Sequence, residues 1–77
     1  MGYLATKLEI LKMLEENLHS VQPQVVETRS IAERLNLART DINRAIQIMN
    51  RTGEVESDQE CERVVITREG LRSLGLS

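Results

Sequence analysis

Apolar residues between Tyr3 and Leu18 fall at Tyr3, Leu4, Leu8, Ile10, Leu11, Leu14 and Leu18. That spacing predicts one amphipathic helix over the whole stretch. On a helical wheel these side chains cover an arc of about 160°, against the about 100° that a helix needs to cover one core. The excess has two readings: deep burial, or an edge that faces a second copy of the chain as a homodimer through this first helix. His19 and Ser20 are expected to end the helix. The following "SVQPQVVET" reads as a connector in which Pro23 stops any helix and Val25–Val26 forms a short edge strand.

The helical period resumes twice. A short second helix is predicted over Arg29–Asn36, with Ile31, Ala32 and Leu35 inward. Thr28 is its expected N-cap, Ser30 and Glu33 offer a competing capping box, and Asn36 suits the left-handed stop. Leu37 is expected to pack beneath the turn. A third helix is predicted over Arg39–Arg51, with Ile42, Ala45, Ile46 and Met49 as its core stripe. Thr40, Arg44, Gln47 and Arg51 fall on the opposite side, with Asn43 at the edge. Its N-cap, Ala38, is a poor capping residue, and Gly53 ends it in the expected place. "EVES" and "ERVVIT" then alternate as two strands around a polar tip from Asp58 to Cys61, with Val55, Val64 and Ile66 inward. Thr67 caps a last short helix whose Leu71 and Leu74 turn back to the core.

Charge changes the picture more than composition does. The net charge is −2, so bulk charge gives no support for nucleic-acid binding. The distribution is polarised. From Arg29 to Arg51 there are five arginines against Glu33 and Asp41, a net of +3. From Glu54 to Glu62 there are five acids and no base, a net of −5. The most cationic helix thus sits next to the most anionic hairpin. Arginine suits bidentate contacts to phosphate and guanine, and equally to carboxylates.

The element order is helix, short strand, helix, tight turn, helix, hairpin, short helix. "SIAERLNLARTDINRAIQIMNRTGEVE" resembles the core of the winged helix-turn-helix regulators, with Ile31, Ala32, Leu35, Leu37, Ile42, Arg44, Ile46, Met49, Gly53 and Val55 at the matching positions. "VVITREGLRSL" is similar to the segment after the wing in MarR-type regulators, with Ile66, Thr67, Gly70 and Leu74 in register. The resemblance implies an α+β, mainly helical fold: a single winged-helix domain over residues 1–77, with a three-helix core, a two-stranded β-hairpin wing and a short C-terminal helix. It implies a transcriptional regulator whose third helix reads the major groove of double-stranded DNA. Carried over by position, Arg39, Thr40, Asn43, Arg44 and Gln47 face the bases: Arg44 suits guanine, and Asn43 or Gln47 suits adenine. Arg29 and Arg34 suit phosphates, and Arg51 shares the exposed face. The chain departs from the family at the wing tip, where Asp58, Glu60 and Glu62 stand in place of the usual Lys or Arg. The long terminal dimerisation helices of full-size MarR-type proteins have no counterpart in these 77 residues.

Other chemistry finds little footing. One Cys and one His cannot make a four-ligand zinc site, and a lone Cys makes no intrachain disulfide. Cys61, flanked by Glu60 and Glu62, reads as an incidental thiol rather than a redox switch. No catalytic triad or Gly-rich phosphate loop is present, so neither an enzyme nor a cofactor or metal is expected. "MGYLAT" formally fits an N-myristoylation pattern but reads better as a chain start followed by a helix. No apolar run spans a bilayer, and the expected location is cytoplasmic. The alternative function is a winged-helix module that binds protein through the acidic hairpin. The position of Asp58, Glu60 and Glu62 relative to Arg44 discriminates between the two.

Overall fold

The computed structural model describes residues 2–18 and 25–75. The expectations for His19, Ser20 and Pro23 lie outside these residues. The elements are α1 (Tyr3–Leu18), β1 (Val26–Glu27), α2 (Thr28–Leu35), α3 (Arg39–Thr52), β2 (Val55–Ser57), β3 (Arg63–Ile66) and α4 (Arg68–Ser73). The fold is α+β and mainly helical, with one small antiparallel sheet.

The expected two-stranded hairpin is a three-stranded sheet in the order β1-β3-β2. The early valine strand begins one residue later than expected and pairs Val26 with Val64 and Glu27 with Arg63. On the other side β3 pairs Val55 with Ile66, Glu56 with Val65 and Ser57 with Val64. Both hairpin strands are shorter than predicted. Glu54, read as the start of a strand, is instead turned into the protein.

The core is assembled from the predicted stripes. Ile10, Leu11 and Leu14 of α1 meet Ile31 and Ala32 of α2 and Ile42, Ala45, Ile46 and Met49 of α3, with Val55, Val64 and Ile66 closing one side. Each fully buried Leu or Ile contributes about 1.5–3 kcal/mol by leaving water. The wide arc of α1 is thereby divided. Ile10 and Tyr3 are the candidates for a dimer face by their place on the arc; Ile10 is fully buried, while Tyr3, Leu4 and Leu8 remain 37%, 68% and 39% exposed.

Two capping expectations are corrected. The N-cap of α2 is Glu27, with no side-chain hydrogen bond, and Thr28 is the first helical residue. Thr28 is fully buried and its hydroxyl donates to the Cys61 carbonyl, so a tertiary acceptor has won over the local cap. With the helix starting there, Ser30 and Glu33 form no capping box and both are exposed. The C-terminal stops agree with the sequence reading. Asn36 is left-handed at φ 55°, and Gly53 at φ 84° ends α3 at Thr52, one residue beyond the expected end. Thr67 caps α4 by accepting from the Gly70 N–H at 3.2 Å.

Glycine is required at position 70. A Cβ there would lie 2.3 Å from the Glu54 carbonyl oxygen and 2.6 Å from Ile66 Cγ1. The close approach lets the short α4 dock where α3 passes into β2.

Candidate nucleic-acid interface

The α2–α3 turn is set by backbone hydrogen bonds. With Asn36 left-handed, the Leu37 N–H reaches the Ala32 carbonyl at 3.1 Å. Leu37 then packs on the core, and the Ala38 carbonyl accepts from Asp41 and Ile42 to open α3. Ala38 adds no side-chain cap, as its methyl side chain requires.

Burial of Ile42, Ala45, Ile46 and Met49 forces the other side of α3 outward. Arg39, Thr40, Arg44, Gln47 and Arg51 are all exposed. None of Arg39, Arg44 and Arg51 is in an ion pair among the described residues, nor is Arg29. Asn43 fits the expected role less well. It is half-buried, and its Oδ1 is buried without a hydrogen-bond partner among the described residues. Reading adenine takes both ends of the amide, and one end of Asn43 is inside.

The solvent side of α3 is a ridge with two flanks. Arg44 lines a cleft with Tyr3, Thr6, Leu37, Asp41 and Ile48, on the side of α1. Gln47, Asn50 and Arg51 line a second concavity with Ser57, Asp58, Gln59 and Cys61 of the hairpin. Asp58 of the acidic tip therefore shares a concavity with the C-terminal half of α3, while Arg44 lines the cleft toward α1. Arg29 and Arg34 are exposed at opposite ends of α2. Arg34 lies 3.8 Å from Glu16 of α1, an exposed pair of little energetic weight.

The tip is held in place from below. The Thr28 hydroxyl bonds the Cys61 carbonyl, and the Thr28 N–H donates to the Glu62 carbonyl at 2.8 Å. Asp58 Oδ1 accepts from the Glu62 N–H at 2.7 Å and the Arg63 N–H at 3.3 Å. Cys61, expected at an open polar tip, is buried at the edge of the core with φ 55°. The exposed carboxylates of Asp58, Glu60 and Glu62 converge to within 4.8 Å of one another. None of the three is in an ion pair among the described residues.

Sequence reasoning missed one charged cluster. Glu54 Oε2 lies 2.8 Å from Lys7 Nζ, Thr52 Oγ1 is 2.6 Å from Glu54 Oε1, and the Ser73 hydroxyl also bonds the carboxylate. Burial pushes this carboxyl up, but hydrogen bonds from Lys7, Ser73 and Thr52 and the Lys7 charge outweigh it and hold the group below its ordinary value. Burial raises the nearby Tyr3 phenol, with the Lys7 charge opposing and the Glu54 charge reinforcing. A glutamate directly after a helix-ending glycine carries no local signal that it turns inward.

No helix among the described residues is long and apolar enough to cross a membrane. No protein-family model, curated protein or solved structure matches the chain.

Proposed function

We propose that this chain is a small winged-helix protein that binds double-stranded DNA through α3, as a regulator of transcription. The observation that carries this reading is the outer face of α3. It sets Arg39, Thr40, Arg44 and Gln47 toward solvent behind a tight turn, with the arginines in no ion pair among the described residues. Unpaired arginines on a convex helix suit phosphates and the guanine edge. The acidic tip beside Arg51 leaves the N-terminal half of α3, with Arg39, Thr40 and Arg44, as the part that enters the groove. Of the apolar arc of α1, Tyr3, Leu4 and Leu8 face outward, a small surface against the about 800 Å² per partner of a standard interface. The reading therefore needs one α3 in one major groove and no permanent dimer through α1.

A second reading is favoured by the convergence of Asp58, Glu60 and Glu62, whose mutual repulsion a basic protein segment would relieve. Titration of duplex DNA at several salt concentrations separates the two. DNA binding by α3 predicts an affinity that falls linearly on a log–log plot against salt, with a slope set by the few phosphates contacted. Absence of binding at low salt overturns the first reading.

A further inference from the structure

We propose that the concavity between α3 and the hairpin receives a second copy of this chain, in a two-fold, salt-sensitive contact. One wall of the concavity carries Gln47, Asn50 and Arg51, and the other carries Ser57, Asp58, Gln59 and Cys61. Glu60 and Glu62 extend the second wall, their carboxylates lying within 4.8 Å of that of Asp58. An unpaired arginine, Arg51, and an anionic tip are thus neighbours on one surface among the described residues. Within a single copy they do not neutralise each other. Arg51 is in no ion pair among the described residues, and the tip is pinned to the start of α2 by both hydrogen-bonding groups of Thr28.

A two-fold contact needs one patch that complements itself, so that each residue meets a different residue of the other copy and the reverse. Adjacent patches of opposite sign meet this condition. An axis through the concavity sets Arg51 of each copy against the Asp58–Glu62 tip of the other, twice. Each guanidinium then faces carboxylates that currently repel one another, and it can engage them bidentately. Exposed charge pairs give register and encounter rate more than affinity, so the dimer is transient and fades with salt. One consequence rests on the function proposed above. The contact covers Gln47 and Arg51, next to the half of α3 that enters the groove, so a second copy seated there crowds the DNA and the two compete.

The test is sedimentation of the full chain across protein concentration, at about 10 mM and about 1 M salt, where the screening length shrinks from about 30 Å to about 3 Å. A concentration-dependent dimer is expected at low salt only. Arg51→Glu and the double variant Glu60→Arg/Glu62→Arg should each weaken it by about tenfold or more. Arg51→Gln, which keeps the helix and removes only the charge, should weaken it in the same direction. An equimolar mixture of the two charge-reversed variants should dimerise again, since each then presents the sign the other lacks. The proposal is overturned if the parent is monomeric at low salt, or if the mixture fails to associate while both variants melt like the parent. It is also overturned if a dimer persists at high salt and is lost only in Leu4→Glu/Leu8→Glu, which would place the contact on α1. No DNA enters this experiment, so its failure and that of the DNA-binding reading are independent.

Discussion

Lys7 Nζ lies 2.8 Å from Glu54 Oε2, joining the first helix to the second residue past the third. The Glu54 side chain is only 7% exposed, and Ser73 and Thr52 bind the same carboxylate. One charge thus ties α1, the end of α3 and α4 at the base of the sheet. A buried carboxylate without those partners would be strongly destabilising.

The pH dependence follows in sign. The folded-state value of Glu54 is held below its usual 4.5, so the folded protein favours the ionised form. Its contribution to stability is complete above that value and is lost as pH falls through the lower, folded value. Thermal melts of the parent should drop on acidification below about pH 4.5 by more than those of Glu54→Gln. At neutral pH, Glu54→Gln should be less stable by about 1–3 kcal/mol, because it removes charge-assisted hydrogen bonds. Parallel acid profiles for the two proteins would remove Glu54 from this role.

Gly70→Ala should be destabilising by about 1–3 kcal/mol or more, because the added methyl meets backbone as well as side chain. The Glu54 carbonyl cannot swing aside as a flexible side chain would. Denaturant unfolding checks this, and a stability equal to the parent would mean that α4 shifts freely.

On duplex DNA carrying a selected site, Arg44→Ala should cost about 1–3 kcal/mol and relax specificity at one base position. Arg34→Ala should weaken all sequences alike and lower the salt slope by about one. Asn43→Ala should cost less than Arg44→Ala, because its Oδ1 is turned inward. Fluorescence anisotropy across salt reads all three. An Arg44→Ala variant that binds like the parent would move the base contacts off this face.

Thr28→Val should loosen the hairpin tip. It keeps the buried volume but leaves the Cys61 carbonyl without its hydroxyl donor, at a cost of about 1–3 kcal/mol. Hydrogen exchange should accelerate at the amides of Cys61 and Glu62 ahead of those in α3. Uniform acceleration would mark a global effect instead.

The helices were legible because their periodicity is local. Ile42, Ala45, Ile46 and Met49 recur at helical spacing and are the residues that α3 buries. Asn36, Gly53 and Thr67 stop or start helices through their own backbone and hydroxyl chemistry, which neighbours do not need to supply. The exposed arginine face of α3 follows from the same wheel. Other features depended on partners distant in sequence. Thr28 has a hydroxyl that can cap locally or reach across, and only the arrival of Cys61, 33 residues away, decides for the second. The division of the α1 arc into buried Ile10 and exposed Tyr3, Leu4 and Leu8 is set by where α2, α3, β3 and α4 pack. Glu54 turns inward because Lys7, Thr52 and Ser73 converge there to satisfy it, a cluster that no spacing in the chain announces. Charge signs are written in the sequence, but distance is not. The acids of the hairpin and the arginines of α3 were visible from the residues alone. That Asp58 shares a concavity with Arg51, while Arg44 lines the cleft toward α1, was decided only in three dimensions, where residues distant in sequence meet.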